Sequence, residues 1–315
     1  MSIKIGFAIV SHNHPEQLRH LVATLTGMFD GPSIVCHHHF GRCPLRPEDF
    51  PSNVRFVVPH IDARWGHVSL PLAALSALRL LRQYGQPDWF FLLSGSDYPV
   101  RPADEITNDL SVTDYDAFLD HREILYNAVP PGQLSRYGFG RPEWIPLAYD
   151  RYCAYRFRLI YPSRALLYSG SFPFWKRPFL IRKPGLIRLI EWFQPRLRAC
   201  RPAKIYGGDF WFHANRKTID RLLDSPLEKL ARYYQNIYVP EESFLHTALC
   251  NHAGLRICAD HKRYEDWSRD EPHPKWLEES DVPKIRASGA YFARKFRPDG
   301  IVRRLIDEEA LRISS

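Results

Sequence analysis

Residues 89–98 read WFFLLSGSDY. Trp89–Leu93 is a run of apolar side chains, the pattern of a strand covered on both faces. It stops at Ser94-Gly95-Ser96-Asp97, small polar residues that make a tight loop. Upstream, Ile3–Val10 reads as a second buried strand, and Ser11-His12-Asn13-His14-Pro15 as a loop and helix start. Leu18, Leu21, Val22 and Leu25 recur at helical spacing over 15–28, and Gly31-Pro32 ends that helix. Ser33–His38 and Val54–Val58 read as strands. Leu72, Leu75, Leu78 and Leu81 predict a helix over 70–84, with Ser69 as its cap, Pro71 in its first turn and Gly85 and Pro87 beyond its end.

The order β-α-β-β-α-β predicts an α/β fold, with a mostly parallel, Rossmann-like sheet and helices on both faces. Ligands of such sheets bind outside the carboxyl ends of the strands. Chemistry is therefore expected in the loops Ser11–His14, His37–Arg42, Arg64–His67 and Ser94–Tyr98. Neither GxGxxG nor GxxxxGK[ST] occurs, so dinucleotide and P-loop sites lack their signatures.

Residues 120–205 are rich in Arg, Tyr and Pro and weakly periodic. They read as a long insertion over one sheet face, with short helices near 184–194. Residues 206–216 read as a glycine turn entering a strand, and a helix starts at Thr218–Asp224. A further helix is expected to begin at Pro240, with Glu241 and Glu242 in its first turn. Residues 260–300 are loop-rich.

The chain has 315 residues, 45% of them hydrophobic and 14% aromatic, enough for a substantial core. Net charge is +8, which suits an anionic partner such as a nucleotide diphosphate or an anionic lipid. No basic tail, zinc-finger spacing or RNP-like motif supports nucleic acid. The six cysteines include no CxxC and read as reduced core thiols. The Ile5–Val10 run is too short for a signal peptide, and nothing approaches the ~20 apolar residues of a membrane span. The expected location is cytoplasmic, with peripheral contact at an anionic inner membrane face as one use of the positive charge.

Four constellations carry chemistry. Asp97 ends a strand as a metal-binding carboxylate of a nucleotide-sugar enzyme would, but Ser-Asp-Tyr supplies one carboxylate where a diphosphate-bridging ion wants more, and loop-capping explains it equally. Glu241 and Glu242 suit a helix dipole; as chemistry, one of them would take a proton from an attacking hydroxyl. Phe292-Ala293-Arg294-Lys295-Phe296-Arg297 sets a basic patch between aromatics, either a solvated face or a diphosphate clamp that stabilises a leaving group without a metal. In Cys36-His37-His38-His39, neighbouring side chains point to opposite faces, so the three imidazoles cannot meet one ion.

These segments together resemble the Core-2/I-branching β-1,6-N-acetylglucosaminyltransferases and the related peptide O-xylosyltransferases. The resemblance lies in IVSHNHPEQLRHL at 9–21, ARWGHVSL at 63–70, FFLLSGSDYPVRP at 90–102, GGDFWFHANR at 207–216, VPEESFLHTAL at 239–249 and FARKF at 292–296. It implies a GT-A-like glycosyltransferase fold over 1–315: a nucleotide-sugar-binding half at 1–118, an insertion and acceptor wall at 119–205, and a catalytic half with a diphosphate clamp at 206–315. It implies inversion at the anomeric carbon of a UDP-sugar, N-acetylglucosamine favoured and xylose the alternative, with no metal or other cofactor. The acceptor would be a glycan, lipid-linked glycan or protein.

By the same resemblance Glu242 is the catalytic base. Arg294 and Lys295 contact the diphosphate, Arg64, Trp65 and Gly66 form a donor-binding turn, and Trp211 lies beside the donor sugar. Ser11 and His12 lie near the nucleotide, His273 near the phosphates and Trp267 near the acceptor. Asp97 becomes a loop-shaping residue. Two positions depart from the family pattern. His39 stands where an Asp would contact the nucleoside, and His67 replaces the second glycine of Trp-Gly-Gly. They leave a non-catalytic carbohydrate- or nucleotide-binding protein on the same fold as the rival of another class.

Overall fold

The structure is a computed structural model that describes residues 3–126, 144–157, 179–181, 183–193, 199–268 and 273–308. The strands are β1 (Ile5–Ser11), β2 (Ser33–His38), β3 (Val54–Phe56), β4 (Trp89–Ser94), β5 (Tyr98–Pro99), β6 (Ala117–Leu119), β7 (Arg122–Glu123), β8 (Tyr155–Phe157), β9 (Phe179–Ile181), β10 (Tyr206–Gly207), β11 (Phe212–Asn215), β12 (Ile257–Cys258), β13 (Arg263–Glu265) and β14 (Phe292–Arg294). Seven of them form the main sheet in the order β12-β6-β11-β4-β1-β2-β3. Every neighbouring pair in it is parallel except those of β11, which runs antiparallel to β4 and β6. The sheet is the expected α/β one. A smaller sheet, β13-β14-β5, stands beside it.

Alternation along the strands feeds two cores. Ala8, Val10, Val35, Phe90 and Leu92 pack with Leu75, Leu78 and Leu81 of α2 (Ser69–Tyr84) and with the helices Arg216–Leu223 and Phe244–Cys250. Phe7, Ile9, Ile34, Cys36, Phe91 and Leu93 pack with Leu18, Leu21, Val22 and Leu25 of α1 (Pro15–Met28) and with Ile106 and Leu110 of α3 (Ala103–Val112). β4 is buried at every position because helices cover both of its faces.

Of the insertion, α4 (Trp144–Tyr152) sends Ala148, Tyr149 and Tyr152 into the α2 core, and α5 (Pro184–Phe193) fills the expected helix near 184–194. The rest of the expected acceptor wall, 127–143, 158–178, 182 and 194–198, lies outside the described residues. Among the described residues no helix is long and apolar enough to cross a membrane.

Three local expectations are corrected. Ser69 begins α2 rather than capping it, because its hydroxyl is occupied by the Arg64 N–H and His67 Nδ1. The segment from Pro240 is not one helix: a 3₁₀ turn, Pro240–Glu242, ends at Ser243, whose φ of −146° interrupts the backbone before the Phe244 helix starts. The cysteines are all free thiols, but only Cys36 and Cys153 are buried.

Candidate active site

The carboxyl ends of β1, β2 and β4 lie side by side, with Ser11 opposite His38 and Val10 opposite Ser94. Gly95 passes so close to β1 that a Cβ there would lie 3.1 Å from that of Ser11. A cavity of about 330 Å³ opens above these ends. Ser11, His12, His39, Trp65, Trp211, Glu242, Trp267, His273, Arg294 and Lys295 all line it, as do Arg42, Asp209, Glu241 and Trp276. Residues from both ends of the chain thus meet at one place. Arg64, Gly66 and Asp97 are not among the lining residues.

The cationic wall is Arg294 and Lys295. The Arg294 guanidinium lies 4.9 Å over the Trp211 ring, 3.4 Å from Asp97 and 3.7 Å from Glu265. Lys295 lies 5.5 Å from the Trp276 ring. Burial first, and Arg294 second, lower its pKa to about 8. Asp97 is buried behind this wall. It accepts from the Ser94 N–H at 2.9 Å and the Ser94 hydroxyl at 2.6 Å, and stands 3.4 Å from Arg263. Its carboxylate therefore shapes the loop after β4 and balances two buried guanidinium groups.

Beside the wall, Asp209, His261 and Glu265 bring ligand-type atoms within 4.8 Å of one another, the donor set among the described residues that a metal ion could use. Burial opposes charge on Asp209 and His261, but their mutual pairing outweighs it, holding Asp209 low and His261 high. Burial, then the Asp209 charge, pushes Glu265 up to about 8. The Arg294 guanidinium lies 3.7 Å from Glu265 beside this cluster. Glu265 also accepts from Trp267 Nε1 at 2.9 Å and so ties that ring to the Arg294 side.

Another wall is the 240–242 turn. It is laced to the Trp65–Gly66 loop: Val239 N–H donates to the Gly66 carbonyl at 3.3 Å, and Gly66 N–H donates to Glu241 Oε1 at 2.9 Å. Gly66 has φ +70°, and a Cβ there would lie 2.8 Å from the Tyr238 ring, so the position demands glycine. Glu242 is half-buried. Its Oε2 accepts from Arg151 at 2.8 Å, with the Tyr152 hydroxyl at 3.4 Å, and that hydroxyl also donates to the Val239 carbonyl at 2.7 Å. α4 thus holds both the turn and its carboxylate.

At the carboxyl end of β2, His39 uses both ring nitrogens. Nδ1 accepts from the Arg42 N–H at 3.2 Å, and Nε2 donates to Asp62 at 2.7 Å. Asp62 also accepts from Arg64 Nε at 2.9 Å, and Arg64 is not among the lining residues. His67 turns to Ser69 and is not among the lining residues. His12 has its pKa lowered by burial first, then by the charges of Arg42 and Lys295.

Sequence reasoning missed Arg151, Asp209, Glu265 and Arg42. Asp209 lies inside a quoted segment and Glu265 two residues before Trp267, so position alone could have flagged them. Arg151 sits in an aperiodic, Arg-rich stretch without any such signal.

A parallel sheet with one antiparallel strand, helices on both faces and a cavity at the strand ends is the arrangement of a GT-A-like glycosyltransferase fold. Residues 189–288 match the Core-2/I-Branching enzyme family. The chain is 27% identical over 247 residues to beta-glucuronosyltransferase GlcAT14A of Arabidopsis thaliana, covering 75% of this chain and 45% of that protein. Identity to GlcAT14B of the same plant is 26%, covering 75% and 47%. Xylosyltransferase 1 of Homo sapiens is 26% identical over 231 residues, covering 69% of this chain and 19% of that one. The chain thus spans less than half the length of each of these relatives.

Proposed function

We propose that this chain transfers a sugar from a UDP-sugar to a hydroxyl of a glycan, lipid-linked glycan or protein, with inversion and without a metal ion. One observation carries the reading: a single cavity holds a fixed carboxylate, Glu242, and a half-desolvated cationic pair, Arg294 and Lys295. An in-line displacement needs both. Glu242 takes the acceptor's proton as its oxygen attacks C1, and the pair stabilises the diphosphate leaving from the opposite face. Trp211, held under Arg294, offers a ring for the sugar to rest against.

The names of the relatives support glycosyl transfer and widen the choice of donor. Glucuronosyl and xylosyl transfer stand in those names, so UDP-glucuronate and UDP-xylose join UDP-N-acetylglucosamine as candidates. The positive net charge supports a peripheral site at an anionic membrane, where a lipid-linked acceptor resides; failure to sediment with anionic liposomes would remove that part.

The deciding experiment measures UDP release from the three donors, with a panel of glycan acceptors, in EDTA and in Mn²⁺. Release in EDTA is expected with one donor. Strict Mn²⁺ dependence would move the metal role to Asp209, His261 and Glu265. Donor binding without release from any combination would favour a binding protein on this fold.

A further inference from the structure

Glu241 is conspicuous in the wall formed by the 240–242 turn. It is 4% exposed yet lines the cavity. Its Oε1 is committed to the Gly66 N–H, while its Oε2 has no hydrogen-bond partner. A buried polar atom without a partner is costly, and one on a residue that lines a cavity can be completed by a ligand bound there. In the proposed reaction the donor's sugar lies between the Arg294–Lys295 wall and Glu242, in the cavity that Glu241 also lines.

Resting on the glycosyltransferase reading above, we propose that Glu241 is a donor-specificity residue whose second oxygen hydrogen-bonds a hydroxyl of the sugar ring. Its geometry separates two tasks on one carboxyl: Oε1 fixes the Trp65–Gly66 loop and Oε2 reads the sugar. Burial first, with Glu242 adding, raises this carboxyl to about 8. At neutral pH it therefore carries a proton. That proton belongs on Oε2, because Oε1 is already an acceptor, so Glu241 can donate to a hydroxyl oxygen without setting a second negative charge beside Glu242. A site built to bond a hydroxyl discriminates strongly against a sugar that lacks it.

The test is calorimetric titration, without acceptor, of UDP, the three UDP-sugars and monodeoxy analogues of the preferred donor. Glu241→Met should keep UDP affinity within about twofold while losing roughly tenfold of the extra affinity the sugar confers. Glu241→Gln, which retains an acceptor for Gly66 and a donor in place of Oε2, should keep it. One monodeoxy analogue should bind the wild type about tenfold more weakly than its parent and show no such deficit with Glu241→Met. If Glu241→Met weakens UDP and UDP-sugar equally, Glu241 only holds the loop and the proposal is wrong. If Glu241→Met does not fold, a wild type indifferent to every monodeoxy analogue overturns the proposal on its own. A wild type that binds no UDP-sugar better than UDP sinks the glycosyltransferase reading itself, a different failure from a selective wild type whose selectivity survives the Met substitution.

Discussion

Arg151 donates to Glu242 Oε2 at 2.8 Å, joining segments 91 residues apart. The pair is largely desolvated, with side-chain exposures of 13% and 26%. It does for the carboxylate what packing does for a core side chain: it selects one orientation. Arg151 also holds the turn indirectly, because its neighbour Tyr152 bonds the Val239 carbonyl. Arg151→Met should therefore lower kcat by ~10²-fold, the usual effect of a misplaced reacting group. The donor KM should change little and Arg151→Lys should recover part of the loss. An unchanged kcat would show that the orientation of Glu242 is set elsewhere.

Glu242→Gln keeps the shape and the Arg151 contact but cannot take a proton. Transfer should fall ~10²–10⁴-fold while UDP affinity stays the same. Retention of most of the activity, read as UDP release, would remove Glu242 from the base role.

Lys295 predicts a pH dependence whose sign follows from its surroundings. In the free protein it loses its proton near pH 8, whereas a bound diphosphate favours the ammonium form. UDP binding should weaken as pH rises above about 8 and should take up a proton there. Titration in two buffers of different ionisation enthalpy would detect that uptake, and Lys295→Met should abolish it. For folding, the unfolded lysine keeps its proton to about 10.4, so the unfolded chain binds more protons between the two values. The contribution of Lys295 to stability accordingly rises with pH across that window. A binding profile that stays flat from pH 7 to 9.5 would refute the clamp.

Legibility in the sequence followed the range of the forces. α1 spans Pro15–Met28 and β2 spans Ser33–His38, as expected, because apolar period and Gly-Pro punctuation act within a few residues. The strand-end loops were readable for the same reason. The Pro240 segment misled because its helix-compatible residues are pulled into a 3₁₀ turn by bonds to Gly66 and Gly208, far away in the chain. The Asp209–His261–Glu265 cluster and the Arg151 contact are charge pairings between distant segments, and such pairings leave no period to read. His39 pairs with Asp62 on a separate loop, another contact between segments that the sequence does not join.

Asp97 separates a structural carboxylate from a metal ligand. Removing it would take the nearby carboxylate from buried Arg263 and leave Arg294 with Glu265 alone. Asp97→Ala should cost ~3–5 kcal/mol in urea unfolding, as breaking other buried pairs does. Asp97→Asn, which can still accept from Ser94, should cost less. A metal ligand would behave in the opposite way, with stability nearly intact and activity recoverable by excess Mn²⁺.

Gly66 tests whether the two walls are mechanically joined. Its φ of +70° costs any other residue ~1–2 kcal/mol, and the Tyr238 ring blocks a Cβ at 2.8 Å. Gly66→Ala should thus destabilise the fold by about 1–3 kcal/mol. It should also push Trp65, which stands edge-on to Tyr238 with ring centroids 5.6 Å apart, out of place in the cavity. Pairing it with Tyr238→Ala divides the effect: the clash is relieved and the backbone penalty remains. The double variant should recover part of the stability lost by Gly66→Ala but not its donor affinity, because the unrelieved strain at position 66 still turns that N–H away from Glu241. Full recovery of both by the double variant would mean that the loop and the 240–242 turn are not coupled through this hydrogen bond.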